Sequence, residues 1–296
     1  MRSLVGRSRN KMSNGRQTVE SGFAPVSVVI PCYRCADTIA AAVASVAAQT
    51  VRPTEVLLVD DCSGDDTIES LHRVAASFQD GWIKVIAATE NGGPSKARNT
   101  GWKHACQEYV AFLDADDSWM PLKLELQVAA LRADPGIALI AHRMEVRDRA
   151  LAPSPLRQPV RAVDVGRRRL LLNNPFPTAS VVLRRDLPFR FNEKFRRVED
   201  FLLWAQIAFS GYRCVKINQV LASWHKPNFG AGGLSGDLAA MHRAGREVRE
   251  ELLRQGLVSR SEHYFARSVG MVRRARRNLM MLVRRFGERS DRQHIA

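Results

Sequence analysis

The chain is predicted to be an α/β protein built on a mostly parallel central sheet flanked by helices, with a helical extension at its C-terminus. Three observations predict this. Short β-branched runs alternate with helix-period segments from Val26 to Ala141. The connections between them are too short for anything but βαβ units. Beyond residue 236 the pattern changes to polar and basic helical stretches without strands.

The elements follow in order. Residues 1–24 are polar, basic and aperiodic, and read as a flexible tail. Val26–Ile30 is a buried strand stopped by Pro31. Asp37 or Thr38 can cap a helix that carries Ile39, Val43, Val46 and Ala47 on one face. Glu55–Val59 is the next strand and runs into Asp60-Asp61. Ser63-Gly64-Asp65-Asp66 turns the chain into a helix with an apolar stripe of Ile68, Leu71, Val74, Ala75 and Phe78. A strand at 82–86 and the loop Asn91-Gly92-Gly93 follow, and Pro94 or Ser95 opens a helix to about Ala105. Val110–Leu113 is a fourth strand, leading directly into Asp114-Ala115-Asp116-Asp117.

The second half is less regular. A helix is expected over 121–133 and a strand over 137–141. The Arg- and Pro-rich stretch 148–168 reads as a loop. Asn173–Thr178 is a breaker-rich loop before a strand over 179–183. Glu199-Asp200 opens a helix ended by Gly211. Val215–Ile217 and a run ending at Trp224-His225 read as two further strands, and Gly230–Gly233 as a flexible loop. Helices at about 237–255 and 261–286 complete the chain.

Composition limits the function classes. The formal charge of +15 predicts attraction to something anionic. It is concentrated at the ends: residues 267–296 hold nine arginines against Glu288 and Asp291. Cys32 and Cys35 form a C-x-x-C, but no second one exists and five cysteines do not make a disulfide framework, so a reducing compartment is expected. Residues 1–20 lack the apolar segment of a signal peptide, and no run of eighteen apolar residues suggests a spanning helix.

Ligands in open parallel sheets collect at the carboxyl ends of the strands. Here those ends bring Pro31-Cys32-Tyr33, Asp60-Asp61 and Asp114–Asp117 to one edge. Carboxylates repel one another, so three within four positions suit a hard divalent cation such as Mg2+ or Mn2+, or else a solvated acidic turn. Tyr33 can stack on a flat ligand or be a half-buried aromatic. Asp60 and Asp61 can accept from a ribose hydroxyl or base N–H, or close a turn. The Asn91–Asn99 stretch has neither G-x-x-x-x-G-K-[ST] nor G-x-G-x-x-G spacing, which argues against a P-loop and a dinucleotide fold. Glu199-Asp200 is either a dipole-complementing pair or a general base at a helix N-terminus. His225 is a metal or phosphate ligand or a structural histidine.

Five stretches in order carry a resemblance: V-S-V-V-I-P-C-Y-R at 26–34, E-V-L-L-V-D-D-C-S-G-D-D-T at 55–67, N-G-G-P-S-K-A-R-N-T-G at 91–101, Y-V-A-F-L-D-A-D-D-S-W-M-P at 109–121 and V-E-D-F-L-L-W-A-Q-I-A-F-S-G-Y at 198–212. Together they resemble the family-2 inverting glycosyltransferases of the GT-A fold, of the bacterial polysaccharide-biosynthesis type. The resemblance covers about residues 25–226 and implies a GT-A domain, bounded here as 25–235; residues 236–296 read separately as a basic helical extension for contact with a membrane surface or a second copy. It implies that Pro31, Tyr33 and Asp61 hold the nucleobase with Asp60 nearby, and that Arg98 approaches the nucleotide. Asp114 and Asp116 form the D-x-D; Asp116, Asp114 and His225 would hold Mn2+ or Mg2+. Asp200 would be the catalytic base with Glu199 beside it.

The implied reaction moves a hexose from a nucleotide-diphosphate sugar, with UDP preferred, to a hydroxyl of a saccharide or lipid-linked saccharide. Two positions depart from the family pattern, Arg34 where many members have asparagine and Gln206 where many have arginine. In the extension, Val272, Ala275, Leu279, Leu282, Val283 and Phe286 can share a helical face among arginines, which suits an anionic membrane surface or a homodimer contact. The expected location is cytoplasmic, peripheral at the inner face of the plasma membrane. A nucleotidyltransferase acting on a sugar phosphate is the enzymatic alternative, and a non-enzymatic basic nucleic-acid-binding protein the other. No nucleic-acid motif supports the latter, and nucleic acid is not an expected partner.

Overall fold

The computed structural model describes residues 22–147, 156–157, 159–225 and 238–272. Among the described residues nine strands form one sheet in the order β3-β2-β1-β4-β8-β6-β9-β5, with β7 also paired to β9. The first half is the expected βαβ series. β1 (Phe23–Cys32) lies between β2 (Arg52–Asp60) and β4 (Tyr109–Phe112), and β3 (Ile83–Ala87) flanks β2, all parallel. Their carboxyl ends therefore meet at one edge. Helices α1 (Ile39–Ala47), α2 (Thr67–Ala76) and α3 (Gly93–His104) make the crossovers.

Strand alternation explains the two cores. Val26, Val28 and Ile30 of β1 and Val56 and Leu58 of β2 face one side, where they meet Ile39, Val43 and Val46 of α1 and Leu71 of α2. Helix α4 (Lys123–Ala133) covers the same side with Leu124, Val128 and Leu131. Val29, Leu57 and Val59 face the other side, where they meet Ala97 and Trp102 of α3 and Leu203, Trp204 and Ile207 of α6 (Glu199–Phe209). Strands buried on both faces read as continuous apolar runs, as these do.

The second half mixes directions. β8 (Val182–Arg184) is antiparallel to both β4 and β6 (Ile137–Val146), while β9 (Arg213–Trp224) is parallel to β6. The two strands expected from 215 to 225 are this single β9. Its mid-strand polar pair is satisfied from the flanking segment: the Arg157 N–H donates to Gln219 Oε1 at 2.6 Å and the Arg161 N–H to Asn218 Oδ1 at 2.9 Å. The strand expected at 179–183 starts instead as a 3-10 turn at Thr178–Ser180. Within the stretch expected to be loop, Ala162–Asp164 forms β7, and α5 (Arg167–Leu172) follows; β5 (Ser118–Trp119) was equally too short to show a period.

Phe23 and Ala24, expected at the end of the tail, already pair with Arg52 and Pro53 as the start of β1. The rest of the expected tail up to residue 21, and the expected Gly230–Gly233 loop, lie outside the described residues. α7 (Leu238–Arg254) packs on α6 through Val248 and Leu252. A further helix is described over 260–272, and the remainder of the stretch expected as helix to 286 lies outside. Among the described residues no helix is long and apolar enough to cross a membrane.

Candidate active site

Among the described residues three other than glycine have positive φ, and each adjoins a predicted site residue: Arg34 (50°) follows Tyr33, Cys62 (56°) follows Asp61, and Val198 (51°) precedes Glu199. A β-branched residue in the left-handed region is a true outlier, and such strain gathers where function fixes the backbone.

The β1 and β2 ends build one half of the edge. Pro31 sits in β1 opposite Val59. Tyr33 just beyond is 49% exposed, and the Arg34 guanidinium lies over its ring, 5.3 Å from the centroid. Asp60 is buried and accepts from the Ser63 hydroxyl, which in turn accepts from the Arg34 N–H at 3.1 Å. Asp61 is buried too, and its oxygens accept the Gly92 and Gly93 N–H groups at 2.9 and 2.7 Å. It thus anchors the start of α3, a carboxylate at a positive helix end. One acceptor direction on each Asp61 oxygen remains beyond these bonds.

The β4 end, α3 and α6 build the other half. Arg98 is buried on α3 and donates to Asp114 Oδ1 at 2.8 Å and to Glu199 Oε1 at 2.7 Å. Burial alone would lower its pKa; the two carboxylates more than reverse this, and the net direction is up. One guanidinium thus neutralises a carboxylate from the β4 end and one from the start of α6. In this structure Arg98 is the tie between Asp114 and Glu199.

Asp200 lies in the first turn of α6. Its Oδ1 accepts the Phe201 N–H at 2.7 Å, and its Oδ2 accepts the Asn174 amide at 2.9 Å and the Thr178 hydroxyl at 3.2 Å. Burial first, and then Glu199, push its pKa up to about 6, with Arg98, the Phe201 N–H and Thr178 pulling the other way. A carboxylate offers about four acceptor positions, so one on Oδ1 stays available. At neutral pH the group is mostly ionised yet basic enough to take a proton.

His225 stands just past the end of β9. Its Nε2 is 2.8 Å from Ser118 Oγ and its Nδ1 is 3.0 Å from Arg147 O. Ser118 follows the D-x-D by two residues, so the histidine is brought beside it, but both ring nitrogens are engaged and metal ligation would require Ser118 to yield. Among the described residues no group of three or more His, Cys, Asp or Glu side chains could hold a metal ion by themselves. An ion such as Mn2+ or Mg2+ is commonly bound by one or two carboxylates plus substrate phosphates and water; Asp114 and Asp116 are the carboxylates at this edge, and Arg98 already occupies Asp114 Oδ1.

Asn174 and Thr178 were not found from the sequence, because two polar residues in a Pro-rich connection look like any turn. Pro175 and Pro177, which bracket Phe176, were the available signal that this loop is rigid.

The sheet, the converging strand ends and the D-x-D define the class: this is a GT-A fold, that of the nucleotide-diphospho-sugar transferases. Solved structures share it. Staphylococcus aureus TarS 1–349 in complex with UDP-GlcNAc aligns with a TM-score of 0.61 at 23% identity, over 77% of this chain and 66% of that one. The mannosyltransferase PcManGT from Pyrobaculum calidifontis, in complex with GDP-Man and Mn2+, gives 0.59 at 22%, over 78% and 64%.

The family model of glycosyl transferase family 2 matches residues 27–190. The chain belongs to glycosyl transferase family 2 and is a glycosyltransferase. It is 32% identical over 187 residues to WfgD of Escherichia coli, a UDP-Glc:alpha-D-GlcNAc-diphosphoundecaprenol beta-1,3-glucosyltransferase, covering 62% of this chain and 69% of WfgD. It is 32% identical over 207 residues to the succinoglycan biosynthesis protein ExoO of Rhizobium meliloti (strain 1021), covering 64% of this chain and 57% of ExoO. This membership displaces the nucleotidyltransferase reading and the non-enzymatic one.

Proposed function

We propose that the protein is an inverting transferase that moves a hexose from a UDP-sugar to a hydroxyl of a lipid-linked saccharide during cell-surface polysaccharide synthesis. The observation that carries this reading is Asp200, an acceptor-side carboxylate with pKa about 6, joined through Glu199 and Arg98 to Asp114 of the D-x-D. The UDP donor and the lipid-linked acceptor are supported by what WfgD uses.

In this reading Tyr33 stacks on the uracil, and Asp61, with Pro31 and Asp60 beside it, accepts from the base. The acceptor oxygen attacks the anomeric carbon while the bond to the UDP oxygen breaks. The hydroxyl proton passes to the free position of Asp200 Oδ1, and the electron pair leaves with UDP. Mn2+ or Mg2+ held by Asp116 and Asp114, with His225 adjacent, would supply positive charge to the leaving diphosphate. Arg98 keeps Asp114 and Glu199 in place. A single displacement inverts the anomeric centre, so an α-linked donor gives a β-linked product. The site of action is then the inner face of the plasma membrane, with the chain bound peripherally.

The test is a screen of nucleotide sugars with Mn2+ and a GlcNAc-diphospholipid acceptor, read as UDP release and as product anomer by NMR. A β-linked product from an α-linked UDP-sugar is expected. Retention of configuration, or no release from any donor together with no UDP binding by calorimetry, overturns the proposal.

A further inference from the structure

We infer that the outer face of the helix over 260–272, formed by Tyr264, Phe265, Met271 and Val272, docks on an anionic lipid bilayer. The helix is well anchored. Ser259 and Glu262 cap each other's backbone, with the Ser259 N–H donating to Glu262 Oε2 at 2.9 Å and the Glu262 N–H to Ser259 Oγ at 3.2 Å. Arg167 of α5 donates to both Glu262 oxygens, at 2.6 and 3.1 Å. Ala266 is buried in the cluster that holds Phe201, Leu202 and Ala205 of α6 and Val248 and Leu252 of α7. The inner face is therefore fixed, and the outer face is presented.

That outer face is apolar where it should be polar. Tyr264, Phe265, Met271 and Val272 are 63%, 53%, 57% and 67% exposed. At about 100° per residue they fall within an arc of roughly 120° that also holds the exposed Ser268. Contiguous exposed apolar surface marks an interaction site. Arg260 and Arg267, both exposed, lie along one edge of the stripe. Beyond residue 272 the sequence adds Arg273, Arg274, Arg276, Arg277, Arg284 and Arg285 with no acidic residue before Glu288.

An apolar stripe beside arginines matches the boundary between acyl chains and anionic headgroups. A nucleic acid would answer the arginines and leave the aromatic stripe wet. A second copy would cover the stripe and bring two arginine-rich edges together. The docking does not depend on which sugar is moved. It would hold α6, and with it Asp200, close to the surface where a lipid-linked acceptor resides.

The test uses the full chain and flotation with vesicles of phosphatidylglycerol and phosphatidylcholine, or of phosphatidylcholine alone. The wild type is expected to float with the anionic vesicles and to be released by salt. The Tyr264→Ser/Phe265→Ser variant is expected to lose partitioning at least tenfold, with UDP binding unchanged. A variant that floats like the wild type overturns the inference, as does a wild type that never floats. A non-floating dimer that the same variant converts to monomer overturns it in favour of a second copy. Phe265→Trp gives an independent reading: its added fluorescence is quenched by brominated anionic lipids if the face inserts, and unquenched emission contradicts it. Loss of UDP-sugar turnover with flotation intact would count against the proposed reaction and not against the docking.

Discussion

At Asp200, burial and the Glu199 carboxylate raise the pKa while Arg98, the Phe201 N–H and the Thr178 hydroxyl lower it, and the balance falls at about 6. The acid limb of turnover should therefore lie near pH 6, with kcat/KM falling below it as the base is protonated. Thr178→Val removes a hydrogen bond that favours the ionised form, so the limb should move to higher pH. A pH–rate profile checks this; an unmoved limb, or one moved to lower pH, contradicts the role given to Thr178. The acidic residues of the site were legible in the sequence because carboxylates crowded at strand ends and helix starts need a reason. Asp114, Asp116, Glu199 and Asp200 were visible in that way. Asn174 and Thr178 were not, since their importance comes only from where the loop folds. The pairing of Arg98 with both Asp114 and Glu199 was equally hidden, because it joins residues 101 and 16 positions apart.

Helix α3 carries Arg98 into the site, and its seat on the sheet depends on Gly101. A Cβ at Gly101 would come within 2.3 Å of Val29 Cγ1 on β1. Gly101→Ala should therefore push α3 off β1, costing about 1–3 kcal/mol, and weaken the hold of Arg98 on Asp114. Chemical denaturation together with UDP-sugar turnover tests this; unchanged stability would show that the helix has room. Elements with a long run and a clear period, such as β1, β2, α1 and α2, were readable in the sequence. β5, β7 and α5 are too short to display a period. β9 looked broken because Asn218 and Gln219 interrupt its apolar pattern, and only the neighbouring 157–161 segment supplies their partners. In α6, Phe201, Leu202, Leu203, Trp204 and Ala205 are all buried, because the helix lies between the sheet and α7.

Across the whole molecule, the parallel half of the sheet follows from consecutive βαβ units and was legible in the sequence. The antiparallel entry of β8 between β4 and β6 was not, because it pairs strands far apart in the chain. The fold also bears a stability cost for its site. A carboxyl whose folded pKa is raised stabilises the fold fully below its unfolded value and loses that contribution as pH rises through the folded value, here from about 4 to about 6. Asp200→Asn should therefore melt above the wild type at pH 8, with the gap closing towards pH 4; a variant less stable at pH 8 would contradict the raised pKa. The same substitution gives the most direct test of the proposed chemistry, in UDP release that depends on a GlcNAc-diphospholipid acceptor, compared side by side in wild type and Asp200→Asn. The expected result is turnover in the wild type and a loss of about a thousandfold in the variant, with UDP affinity within a few-fold. Equal rates in the two proteins would show that Asp200 is not the base.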